Sequence, residues 1–223
     1  MIGKREVSMR YGVLGTGQVG RTLGGKLVAL GHEVTLGSRT QDNPVGREWA
    51  ASTGAAAGTF AEAAAGADVV VNAVAGQVAL AALEAAGAEN LAGKVVLDVS
   101  NPLSFEGGEV RLSPVESDSV GEQIQRAFPD ARVVKSLNTV NCEVMVDPGR
   151  VPGRHQIFVC GADAEAKAQV TQLLGEFGWP ADRVLDLGGI QAARSVEMWL
   201  PLWLNLMRHF GHADFNLELH TSR

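Results

Sequence analysis

Two short runs of residues could together hold a phosphorylated cofactor. The first is Gly15-Thr16-Gly17-Gln18-Val19-Gly20, three glycines at the spacing GxGxxG. In that spacing Gly15 permits a tight turn and Gly17 lets a pyrophosphate approach the backbone. Gly20 lets the next helix pack closely on the preceding strand. A helix opening at Gln18 adds free N–H groups and the positive end of its dipole. The second run is Ser38-Arg39-Thr40, with Ser38 eighteen residues beyond Gly20. An enzyme selective for NAD carries Asp or Glu there, on the ribose 2′-OH. This chain has no carboxylate at that place. An arginine instead forms a forked, charge-assisted pair with a 2′-phosphate, and the hydroxyls of Ser38 and Thr40 can add hydrogen bonds. The expected cofactor is therefore NADP.

Three further segments fall where a parallel sheet presents its carboxyl ends to a ligand. They are Asn72 to Gly76, Ser100 to Pro102, and Ser136 to Thr139. Val74 and Ala75 are small enough to let a nicotinamide lie near the backbone. Asn101 and Asn138, with Thr139 beside it, could hydrogen-bond a carboxamide or a second substrate. Asn101 precedes Pro102, so turn chemistry explains it equally well. Proton donors are scarce. The chain has five histidines and one tyrosine, Tyr11, and no Tyr-x-x-x-Lys pattern. Lys135 lies inside a strand and is a weak candidate. No catalytic acid or base is assigned. Hydride transfer from a nicotinamide needs little such help where the cofactor carries the chemistry.

Elements that would position these residues can be read from the apolar pattern. Strands are expected at 10–15, 32–36, 67–74, 94–100, 131–137, 155–160 and 183–187. Helices are expected at 18–30, 76–90, 119–128 and 163–177. Residues 45–65 read as Ala-rich helix and loop, and 101–118 and 147–153 as loops. Apolar strands separated by helices imply a mainly parallel sheet covered on both faces, the Rossmann-type doubly wound α/β class. The tail 192–210 reads as a long apolar helix interrupted by Pro201, buried on most of its sides. The expected division is a Rossmann domain over 9–187 and a small C-terminal helical segment over 188–223 that completes the substrate cleft, with Leu200 and Trp203 in its apolar helix, and forms the dimer interface. Residues 1–8 read as a loose extension.

Composition narrows the partners. Of 223 residues, 46% are hydrophobic and 20% charged, and the net charge is −6. Such a balance argues against nucleic acid or an anionic membrane as partner. No run of 18 apolar residues occurs, and the first ten residues lack the apolar core of a signal peptide. The two cysteines, Cys142 and Cys160, have no metal-ligand spacing and read as buried. The expected setting is cytoplasmic, without metal, and with a small-molecule redox partner.

The chain resembles the NADPH-dependent coenzyme F420 reductase family (F420 is a deazaflavin) and its flavin-reducing relatives. The likeness runs from Arg10 to about residue 218. It is carried by Gly15 to Gly20, Leu30-Gly31-His32-Glu33, Gly37-Ser38-Arg39, Val159-Cys160-Gly161, and the tail Glu197 to Arg208 with Pro201-Leu202 and Asn205-Leu206-Met207-Arg208. The resemblance implies a Rossmann domain with a small C-terminal part. It implies NADP held by Thr16, Gly17, Gln18, Val19, Ser38 and Arg39. Two positions depart from the family pattern. A lysine placed shortly after the Ser-Arg pair is Asn43 here. The segment that contacts the deazaflavin, His-Thr-Ile in the family, is Asn138-Thr139-Val140.

The expectation is hydride transfer between NADPH and a deazaflavin (coenzyme F420) or a flavin (FMN or FAD). A non-enzymatic NADP-binding sensor is the first alternative. The second is an NADPH reductase of another small substrate, of the hydroxy-acid, imine or pyrroline type. Those enzymes usually add a large helical domain, whereas only about 36 residues follow Leu187 here. A homodimer is expected through the tail helix, because an apolar helix at the chain end has little core left to cover it.

Overall fold

The computed structural model describes residues 8–106 and 109–222. The loose extension expected at the N-terminus lies, apart from Ser8, outside the described residues. Among the described residues ten strands form in chain order. They are β1 (Arg10–Leu14), β2 (Glu33–Ser38), β3 (Ala56–Thr59), β4 (Val69–Asn72), β5 (Val95–Asp98), β6 (Leu103–Glu106), β7 (Glu109–Leu112), β8 (Arg132–Ser136), β9 (Ile157–Gly161) and β10 (Val184–Asp186). Eight of them make one sheet in the order β10-β9-β8-β5-β4-β1-β2-β3. Every neighbouring pair in it is parallel except β8 with β9, which is antiparallel. The fold is thus a Rossmann-type, mainly parallel α/β sheet.

Alternation along the strands explains the two-sided core. Tyr11 and Val13 of β1, Val69 and Val71 of β4, and Val95 and Leu97 of β5 join one hydrophobic cluster. Leu14, Val70 and Val96 join the other, on the opposite face. Helices close both faces. They are α1 (Gln18–Ala29), α2 (Pro44–Thr53), α3 (Phe60–Gly66), α4 (Ala79–Ala86), α5 (Ala88–Leu91), α6 (Val120–Ala127), α7 (Cys142–Val146), α8 (Ala164–Phe177), α9 (Ala193–Glu197) and α10 (Leu200–Phe210). Among the described residues no helix is long and apolar enough to cross a membrane.

The structure differs from the sequence reading at several places. Strand β3 lies inside the 45–65 stretch, where only helix and loop were expected. Its residues, Ala-Ala-Gly-Thr, have little strand preference of their own, and pairing with β2 supplies the ladder. The 101–118 loop contains an antiparallel hairpin of β6 with β7. The expected helix 76–90 is broken at Gly87, whose φ of 91° ends α4 and starts α5. The tail is two helices, not one, joined near Met198 and Trp199, and Pro201 sits in the first turn of α10, where its missing N–H costs nothing. Nor is α10 buried on most sides. Only Leu200 of that helix is buried, while Leu202 and Phe210 are half exposed even though Phe215 packs its ring against Trp203 and Phe210.

Candidate active site: two clefts at the strand ends

The sheet order reverses between β1 and β4, and the loops after these strands meet there. Such a switch point is where open α/β sheets bind ligands. A cleft of about 590 Å³ opens at this point, lined by Gly15, Thr16, Gly17, Ser38, Arg39, Asn43 and one side of α4 at Ala81, Ala82 and Ala85. The glycines have distinct jobs. Gly15 adopts φ of 119°, and a Cβ on Gly20 would come within 2.0 Å of the Gly15 carbonyl oxygen. Only glycine allows α1 to sit that close to β1. A Cβ on Gly17 would meet nothing within 4 Å, so this position faces open space at the mouth of the turn. As the N-cap of α1, Gly17 offers no side chain, and no acidic residue occupies the first turn. The N-terminal N–H groups of α1 are therefore left for an anion.

Arg39 follows directly on β2 and is exposed, with no carboxylate paired to it among the described residues. Ser38 is buried, and its hydroxyl donates to the Thr40 carbonyl, which folds the Ser38–Thr40 turn. Asn43 accepts a hydrogen bond from Gly46 N–H at 3.0 Å and so caps α2. Both Arg39 and Asn43 line the cleft, and Asn43 gives it an uncharged amide there. Glycine turn, open helix terminus and unpaired arginine together fit a dinucleotide carrying a 2′-phosphate.

A second cleft of about 510 Å³ adjoins the first and shares Ala73, Val74 and Ala75 with it. Its walls include Val19, Ser100, Asn101, Asn138, Val140, Cys142, Leu200 and Trp203. Of the fourteen binding residues expected from the sequence, Gln18, Gly20, Thr40 and Thr139 line neither cleft, while the others do. Val19 lines the second cleft, not the first. Leu200 and Trp203 come from the tail helix that the sequence offered as a wall of the second-substrate pocket, whereas no sequence signal pointed to Cys142.

Asn101 and Asn138 are partners of each other. Asn138 Nδ2 donates to Asn101 Oδ1 at 3.0 Å and to the Val196 carbonyl at 3.0 Å, while Asn101 Nδ2 donates to the Asn138 carbonyl at 2.8 Å. Asn138 thereby spends both amide hydrogens on the frame, and Asn101 keeps one N–H. The segment turns sharply at Leu137, a buried residue with φ of 64°, a left-handed conformation that costs about 1–3 kcal/mol. Side-chain bonds from the tail hold that turn: the Trp199 indole N–H donates to the Thr139 carbonyl at 3.0 Å. Three buried polar atoms near this cleft have no hydrogen-bond partner, namely Ser100 Oγ, Thr139 Oγ1 and Trp203 Nε1. Buried polar groups are nearly always satisfied, so these await a ligand or water.

A rung of polar residues ends the central strands. Asn72, Asp98 and Lys135 are neighbours in register, all fully buried. Lys135 Nζ lies 2.8 Å from Asp98 Oδ2 and 2.8 Å from Glu197 Oε1, and donates to the Ser100 carbonyl at 2.5 Å. Burial pulls the lysine pKa down, but the two carboxylates outweigh it and hold the ammonium above its usual range. Burial pushes the Glu197 carboxyl up, and Lys135 offsets this only in part. Cys160, near this group on β9, is pushed up to about 12 by burial and is inert as a thiolate. No cluster of metal-ligating side chains occurs among the described residues.

Known proteins share this arrangement. The family model described as "NADP oxidoreductase coenzyme F420-dependent" matches residues 10–102. The F420-dependent NADP reductase of Methanothermobacter marburgensis is 31% identical, over 89% of this chain and 92% of that one. Metalloreductase STEAP3 of Rattus norvegicus is 31% identical over 87% of this chain, which spans only 38% of that protein's length. A crystal structure from Arthrobacter sp. FB24, proposed there to be an F420-dependent NADP reductase, superposes with a TM-score of 0.91 at 50% identity. It covers 96% of this chain and all of its own. The chain belongs to the family of coenzyme F420-dependent NADP oxidoreductases, and it is an NADP-dependent oxidoreductase.

Proposed function

We propose that the chain passes a hydride between NADPH in the first cleft and a deazaflavin or flavin ring in the second. The observation that carries this reading is the continuity of the two clefts across Ala73, Val74 and Ala75. Small side chains at that junction leave room for two flat rings in contact. NADPH, when bound, supplies a hydride from its nicotinamide. The turn Gly15-Thr16-Gly17 and the start of α1, with Gln18, receive the pyrophosphate. Arg39, with Ser38 and Thr40 around it, receives the 2′-phosphate. Asn101, with one N–H free, and Ser100 line the ring end, and Leu200 and Trp203 exclude water there. Contact and orientation of this kind supply most of what hydride transfer needs.

The test is NADPH oxidation followed in parallel with coenzyme F420, FMN, FAD and a ferric chelate. Turnover with F420 or a flavin is the expected result. A metalloreductase among the relatives makes the chelate the second acceptor to try. Tight NADPH binding with no oxidation by any acceptor would instead support a sensor. The same reading includes a homodimer that covers the exposed face of α10, where Leu202 and Phe210 are half exposed. Light scattering at micromolar concentration is expected to give twice the mass of one chain, and a monomer would remove the dimer.

A further inference from the structure

Glu197 lines neither cleft, yet its side chain is only 2% exposed, and three elements converge on it. Its Oε1 lies 2.8 Å from Lys135 Nζ of β8 and accepts from Gly121 N–H at 3.1 Å. Its Oε2 accepts from Val120 N–H at 2.9 Å. One carboxylate thus joins the sheet, the first turn of α6 and the tail. The residues around it repeat the attachment, through Val196 to Asn138 and through Trp199 to Thr139. Immediately beyond come Leu200 and Trp203, which line the second cleft. Ser100, which lines the same cleft, is held by the same charges, since Lys135 binds its carbonyl and Asp98 accepts its N–H at 3.1 Å. Burying three charges is costly, and apolar packing holds a helix as well without them. What a buried charge network adds is a fixed separation between the groups it joins.

We infer that Glu197 is a positioning residue for the acceptor: it fixes the 196–203 segment against β8 and α6 and so sets the gap between Trp203 and Ser100. The inference rests on the second cleft being the acceptor site. A glutamine is the same size but turns one oxygen into a donor. That donor must face either the Lys135 ammonium together with the Gly121 N–H, or the Val120 N–H, so at least one bond is lost while the packing survives. A second variant reaches the same gap without touching charge. A Cβ on Gly121 would lie 3.1 Å from Ala193 Cβ and 3.3 Å from Ile190, so Gly121→Ala pushes the tail away from α6.

Glu197→Gln, Gly121→Ala and the wild type are compared by NADPH titration, steady-state kinetics and amide exchange. Glu197→Gln is expected to raise the acceptor KM by at least about ten-fold while the NADPH Kd stays within about two-fold. Gly121→Ala is expected to shift the acceptor KM in the same direction by a smaller factor. Amides 196–203 exchange faster in both. An unchanged acceptor KM in folded variants overturns the inference. So does an NADPH Kd that weakens as much as the KM, because the carboxylate then only holds the fold. If the wild type reduces no acceptor, the proposed function has failed and the acceptor role falls with it; exchange then decides only whether Glu197 fixes the 196–203 segment, which faster exchange upholds and unchanged protection overturns.

Discussion

The two clefts meet at three residues, but the chain builds them differently. The polar groups of the cofactor cleft all lie between Gly15 and Asn43, on the loops that follow β1 and β2. Its turn is held by backbone conformation, with Gly15 in a region open to glycine and Gly20 against the Gly15 carbonyl. Walls of the second cleft, the proposed acceptor site, come from residues 19 to 203. They are joined by hydrogen bonds between residues 37, 58, 60 and 77 positions apart. Recognition of a phosphate needs little more than a short motif in the right loop. A cleft for a flat ring needs distant segments held at a set distance, and here buried polar side chains do the holding.

The comparison breaks most sharply at the charge network. Lys135→Ala leaves Asp98 and Glu197 buried together without a cation. Removal of one partner from a buried pair costs about 3–5 kcal/mol. For a chain of this size that lowers Tm by about 10 °C. Thermal unfolding checks it, and a melt within a degree of wild type would show that the network carries little. The cofactor turn should behave oppositely. Gly17→Val is expected to keep the melting temperature, since its side chain meets no protein atom, and to weaken NADPH at least about a hundred-fold, near 2.7 kcal/mol. A folded variant that still binds NADPH would move the pyrophosphate elsewhere. Smaller again is the effect at Arg39. NADPH is expected to bind at least about ten-fold tighter than NADH, near 1.4 kcal/mol, and Arg39→Ala should erase that preference. Titration of both cofactors decides it, and an unchanged ratio in the mutant would take the 2′-phosphate away from this arginine.

The same contrast explains what could be read without a structure. The glycine turn and the missing carboxylate at Ser38 are local patterns with local causes, so sequence alone located them. The central strands were legible because continuous valine and leucine runs have few other uses. Strand β3 was not, because its Ala-Ala-Gly-Thr forms a strand only by pairing with β2. Asn138 reads as a candidate ligand from its place after β8. Its two amide hydrogens go to Asn101 and Val196, a fact that depends on contacts 37 and 58 residues away. Lys135 looked idle inside its strand, and its partners Asp98 and Glu197 lie 37 and 62 residues off in the chain. The break between α9 and α10 also escapes the pattern, since apolar residues continue on both sides of it.

Direct transfer between the two clefts is the central claim, and an isotope follows it. NADPH carrying deuterium at C4 of the nicotinamide is mixed with the protein and coenzyme F420 in ordinary water. The reduced deazaflavin is then analysed by mass spectrometry, because a deazaflavin receives hydride on carbon and keeps the label. The account predicts that one face of the labelled NADPH delivers its deuterium to the product. Product that carries only solvent hydrogen from both labelled faces, or NADPH that stays unoxidised while tightly bound, would contradict it.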